Sequence, residues 1–179
     1  LLTWVKYECF AWHPRRTARN VIDTRWVFKW KWVQVNGQKV REIRARLTGR
    51  GFKDVQDQEL SAFAGTASRA AQRLLTSEAV LRGWDVISAD VPKAFLQGIS
   101  YADLAAATGE PLREVSFTVP PATAVELRRL PGYEDLDEKP EVLKCTKPGT
   151  GLRDAPKCFA FKLWRVTVDE AGFKPVYRF

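Results

Sequence analysis

The sequence predicts an α+β fold, an antiparallel sheet with packed helices. Three observations predict it. Segment 25–35 places Trp26, Phe28, Trp30 and Trp32 at alternate positions, the period of a strand with one buried face. Residues 61–82 carry Phe63, Ala67, Ala71, Leu74, Leu75 and Leu81, a broad helical stripe that Gly83 would stop. Short apolar runs at 84–91 and 114–119 read as further strands. The 179 residues suffice for one domain with its own core.

Along the chain, residues 1–24 show no clear period. The stretch His13-Pro14-Arg15-Arg16 reads as a loop, so a loop-like leader is expected. The aromatic strand is followed by Asn36-Gly37, the dipeptide best suited to the two positive φ angles of a type I′ turn. The return strand would carry Ile43, Ala45, Leu47 and Gly49 on one face and Arg44, Arg46, Thr48 and Arg50 on the other. Residues 99–109 suit a short helix ended by Gly109, and 120–142 reads as loop with one short helix. After the glycine loop 147–151, Asp154 is placed to cap a helix with Pro156 in its first turn, running to about Glu170 and Gly172.

Charge is concentrated in one segment. Between 25 and 53 stand Arg25, Lys29, Lys31, Lys39, Arg41, Arg44, Arg46, Arg50 and Lys53 against Glu42 alone, an excess as large as the +8 of the whole chain. Arginines at two-residue spacing project guanidinium groups the same way. That suits a run of phosphates or a triphosphate, and equally a solvated strand face.

No run reaches the roughly 20 apolar residues of a membrane span. Three widely spaced cysteines, Cys9, Cys145 and Cys158, are odd in number and do not form a disulfide framework, so a reducing compartment is expected. Cys9 and His13 have no second pair to complete a zinc site. The chain lacks Met, begins at Leu1, and ends in Val176 to Phe179, which reads as the start of a strand; a gene fragment is the expectation.

Asp90 closes the apolar run GWDVISADV. A carboxylate there is costly to bury unless something pairs with it. A divalent metal, a salt bridge or surface exposure would each answer that cost. Phe95 follows five residues later, in DVPKAF.

Several blocks in this order resemble the reverse transcriptases of copia-type long-terminal-repeat retrotransposons. WVFKWKW with IRARLTGRGF is similar to the family's Trp-Val-Phe-Lys and Lys-Ala-Arg-Leu-Val-Ala-Arg-Gly-Phe blocks. RGWDVISADVPKAFLQG is similar to its first-aspartate motif, and GLRDAPKCF to its Gly-Leu-x-x-Ala-Pro-x-x-Trp block. The match spans about residues 25–173. Asp154, Thr150 and Phe159 depart from the family's usual Gln, Tyr and Trp, which puts nucleotide contact at that loop in doubt.

The resemblance implies the fingers and partial palm of a right-hand polymerase, an RNA-directed DNA polymerase. It divides the chain into a leader (1–24) and a partial domain (25–179). Within that domain lie a basic fingers hairpin (25–53), a palm segment with the first aspartate and an insertion (84–119), a loop-rich stretch (120–146), and a glycine loop with its helix (147–172). It implies Asp90 as catalytic residue and metal ligand, joined by the Val91 carbonyl, with two Mg²⁺ or Mn²⁺ ions in the intact enzyme. Phe95 would exclude the 2′-hydroxyl, and Arg44 and Arg46 would meet the triphosphate. Arg50, Gly151, Arg153 and Lys157 would face the template. Implied partners are an RNA or DNA template with primer and deoxynucleoside triphosphates, within a polyprotein that adds integrase and RNase H. The location would be cytoplasmic, in a virus-like particle, or nuclear.

Tyr101-Ala102-Asp103 imitates a Tyr-x-Asp-Asp box, but residue 104 is Leu and the segment precedes the glycine loop. Asp103 is expected to be a first-turn helix acid in an insertion at 99–111. No Asp-Asp pair occurs in the chain, so the fragment is expected to be inactive alone. The alternatives are a decayed element that at most binds nucleic acid through the hairpin, and an unrelated basic RNA-binding domain.

Overall fold

The structure, a computed structural model, describes residues 1–57, 60 and 64–174. It is a mixed α+β fold built on a five-stranded sheet. The strands are β1 (Phe10–Pro14), β2 (Val21–Val35), β3 (Gln38–Gly49), β4 (Ser116–Thr118) and β5 (Glu141–Cys145), in the order β1-β5-β4-β2-β3. All pairings are antiparallel except β2 with β4, where Val21, Ile22 and Asp23 run parallel to Ser116, Phe117 and Thr118. The expected antiparallel sheet is therefore mixed. The long connection from β2 to β4 returns through helices, which a parallel pair requires.

The hairpin forms in the expected register. Asn36 and Gly37 have φ of 51° and 80°, and Val35 pairs with Gln38 around them. Trp26 lies opposite Leu47, Phe28 opposite Ala45, and Trp30 opposite Ile43, so the aromatic residues share one face. The expected burial of that face is corrected. Only the root is covered, by Ile22, Thr24 and Leu47, while Phe28, Trp30 and Trp32 are 64%, 61% and 62% exposed. The hairpin outreaches the elements that could cover it, since β4 pairs only with its first three residues.

The leader is corrected too. Residues 1–24 contain helix α1 (Leu2–Lys6), β1 and the start of β2. They place Trp4 and Phe10 in the core, where ring centroids lie 5.8 Å apart; Trp4 also meets Phe117 at 5.9 Å, and Phe10 meets Tyr133 at 5.7 Å. Each such buried ring adds about 2–3 kcal/mol of apolar transfer energy. The Tyr133 hydroxyl donates to the Phe10 carbonyl at 2.9 Å, which satisfies its one polar atom.

The remaining helices are α2 (Arg69–Arg82), α3 (Tyr101–Thr108), α4 (Pro121–Leu127) and α5 (Ala155–Trp164), the last continued by a π-helical segment, Arg165–Glu170. Ser68 caps α2 and Gly83 ends it at φ 63°; Ser100 caps α3 and Gly109 ends it at φ 71°. The expected helix starts later than 61: residues 64–68, Ala67 among them, are not helical, because Ser68 caps α2, while Phe63 lies outside the described residues, as does the strand start expected at 176–179. The strand expected at 84–91 does not form. A strand needs a ladder partner, and the segment pairs with neither β1 nor β3, the two strands at the sheet's edges.

Candidate nucleotide-binding groove

The turn that carries Phe95 is anchored from beneath. Leu96 is buried and its carbonyl accepts from the Cys9 thiol at 3.6 Å. Gly98 packs against α5 so tightly that a Cβ would sit 2.9 Å from Cys158 Cβ, and the Ile99 N–H donates to the Cys158 carbonyl at 3.2 Å. Lys93 opens the 3-10 turn Ala94–Gln97 at φ 56°, a left-handed conformation that non-glycine residues rarely adopt. Its ammonium donates to the Thr3 hydroxyl at 2.6 Å. With Leu96 fixed inward, Phe95 is left outward, 46% exposed.

Opposite that turn stands the root of the hairpin. β3 is an edge strand, and Arg44, Ala45, Arg46 and Leu47 form one wall of a groove of about 420 Å³. The other walls are Lys93, Phe95, Leu96, Trp4 and Thr150. Three cations and no acidic side chain line it. Neither Arg44 nor Arg46 is in an ion pair among the described residues. A wider hollow along α2 is lined by that one helix and has no second wall.

The glycine loop closes the groove's floor by packing on protein. Gly151, at φ 100°, lies so near β3 that a Cβ would stand 2.2 Å from the Gly49 carbonyl and 2.7 Å from Thr48 Cγ2. The Gly49 N–H donates to the Thr150 carbonyl at 2.9 Å, and a Cβ on Gly149 would enter the Trp4 ring. The loop's small residues thus serve contact between backbones.

No family model, curated protein or solved structure matches this chain.

Of the residues singled out from the sequence, Arg44, Arg46 and Phe95 meet in the groove. The others lie elsewhere. Asp90 and Val91 are exposed in a segment that forms neither strand nor helix. Lys157 is buried and its ammonium holds both carboxylate oxygens of Glu110, at 2.8 and 2.9 Å. Arg50 pairs with Asp23 at 2.9 Å, and Arg153 reaches Asp57 at 3.5 Å. Lys157 therefore has no free surface for a template, whereas Gly151 packs on β3 on one side and stays exposed on the other. The Asp103 N–H donates to the Ser100 hydroxyl at 3.0 Å in the first turn of α3, the place expected for it.

Among the described residues no three His, Cys, Asp or Glu side chains converge. Asp90 supplies one carboxylate, fewer than a two-ion site requires. Cys9 and His13 also stay apart in role. Burial raises the Cys9 thiol to about 11, and His13 Nε2 lies 2.9 Å from the Thr17 hydroxyl.

Sequence reasoning missed the buried charge network around Arg113. Arg113 donates through Nε to Asp154 at 3.0 Å, through Nη1 to Asp54 at 3.1 Å and to Gln56 at 2.6 Å, and through Nη2 to the second Asp54 oxygen. Asn20 adds a bond to Asp54 at 2.8 Å. The expected capping role of Asp154 is corrected: it starts α5 but its carboxylate makes no cap bond, because Arg113 takes it. Lys93 was missed as well, although a lysine two residues before a gate-like phenylalanine was visible in DVPKAF.

Proposed function

We propose that the chain is the fingers and first palm segment of a copia-type reverse transcriptase, with the groove as its deoxynucleoside triphosphate site. The single observation that carries this is the groove itself. Two arginines from the hairpin and the one phenylalanine five residues past Asp90, remote in sequence, line the same acid-free hollow. Unpaired guanidinium groups on its wall suit phosphate oxygens, which they meet with charge-assisted, bidentate bonds. The exposed Phe95 ring supplies an apolar surface for the sugar, where a 2′-hydroxyl would lose its hydration without a partner.

In this reading the chain binds and orients the nucleotide. The nucleotidyl transfer itself needs a second, paired set of carboxylates, and no Asp-Asp pair occurs in this sequence. The decayed-element reading has one observation in its favour: Asp90 sits in an exposed segment that no strand supports.

Equilibrium titration with a fluorescent deoxynucleoside triphosphate and its ribo counterpart tests the site. The deoxy form should bind more tightly, and Phe95→Ala should close the gap. Equal affinity for both in the unaltered chain would remove Phe95 from its role.

A further inference from the structure

Beyond its root, where Trp26, Ala45 and Leu47 line the groove, the hairpin's aromatic face is not used by it. Phe28, Trp30 and Trp32 lie in line along β2, all more than half exposed, with Ile43 beside them at 53%. Monomeric proteins rarely leave so much contiguous aromatic surface uncovered. Arg41 lies over two of the rings, its guanidinium carbon 5.1 Å from the Trp30 centroid and 5.5 Å from that of Trp32. Lys39 projects from the same face two residues away.

We propose that this face is a stacking platform for single-stranded nucleic acid. The inference deepens the reading of the hairpin as a nucleic-acid element and adds a surface that reading leaves unassigned. Alternate strand residues are about 6.6–6.8 Å apart, near twice the ~3.4 Å rise per nucleotide. A single strand laid along β2 therefore meets the rings in step with its bases. Every base has a π-face, so the contact is tolerant of sequence. Charge complementarity decides the occupant. The hairpin strands carry seven Lys and Arg against Asp23 and Glu42, so a second copy would set like charges against each other, whereas a polyanion with flat apolar bases answers both the rings and the cations. In a duplex the base faces are already stacked on one another.

The test uses the full chain and a fluorescein-labelled oligo(dT), read by anisotropy over a salt series. Trp30→Ala with Trp32→Ala should weaken binding about tenfold for each ring lost and leave the salt slope unchanged. Arg44→Ala with Arg46→Ala should leave the stacking loss intact while flattening the slope by up to about 1.4. Unlabelled duplex of the same length should compete poorly. Both tryptophans are exposed, so the double variant should keep the parent's thermal midpoint. Unchanged affinity in the tryptophan variant overturns the proposal, as does failure of the unaltered chain to bind the oligonucleotide. A variant that instead dissociates a dimer in sedimentation gives the face to a second copy, and also overturns it. Triphosphate titration separates the two readings. Ring-dependent oligo(dT) binding without triphosphate binding sinks the groove and keeps the platform; triphosphate binding with ring-independent oligo(dT) binding does the reverse.

Discussion

Arg113 reaches Asp54, Gln56 and Asp154 from inside the core, with its side chain 4% exposed. Burial pushes the Asp54 carboxyl up, but the hydrogen bonds from Arg113 and Asn20 hold it below the usual carboxylate range. A carboxyl depressed in the folded state contributes stability above its unfolded value, near pH 4, and loses it as pH falls further through the folded value. Urea unfolding of the native chain should therefore weaken below about pH 4. Arg113→Met would leave two buried carboxylates unpaired and should cost about 3–5 kcal/mol near pH 7. Its pH dependence should also reverse: protonating the stranded carboxylates relieves their burial, so the variant should gain stability as pH drops from 7 to 5. A variant within 1 kcal/mol of the parent, with the parent's pH profile, would show that the network is not what holds these segments. None of this was legible in the sequence. Arg113 lies 59 residues from Asp54 and 41 from Asp154, and no local period links them. The same blindness put Lys157 on a template that it does not face, because Glu110 is 47 residues away.

Elements were legible where a local rule decides them. The hairpin follows from alternation and from Asn36-Gly37, and helix ends follow from Gly83 and Gly109. Elements that depend on a distant partner were not. The leader's α1 is five residues long, and its β1 exists because β5 pairs with it. The apolar run at 84–91 has strand composition without a ladder, and forms no regular element. The glycine loop was expected to allow close backbone approach, and the backbone it approaches is that of β3. Gly151→Ala should make this plain. Its φ of 100° and the Gly49 carbonyl leave no room for a methyl group, so the substitution should cost more than about 2 kcal/mol and lower the thermal midpoint. A midpoint equal to the parent's would mean that the loop is free of β3.

For the whole molecule, the sheet holds a compact half around Trp4, Phe10, Phe117 and Tyr133, and a basic arm leaves it. The groove lies where the arm's root meets the turn at 93–96, so the hairpin's cations and Phe95 line one hollow. Among the described residues no helix is long and apolar enough to cross a membrane. On the proposed reading, Asp90 alone does not support catalysis, and magnesium-dependent primer extension by this chain should be absent. The central claim is that Arg44 and Arg46 receive a triphosphate. It is tested most directly by the affinity of the chain for a deoxynucleoside triphosphate before and after Arg44→Ala with Arg46→Ala. Each lost charge-assisted bond is worth about 1.5–3 kcal/mol, so the double variant should bind at least about a hundredfold more weakly at an unchanged thermal midpoint. An affinity equal to the parent's would contradict the assignment of the groove.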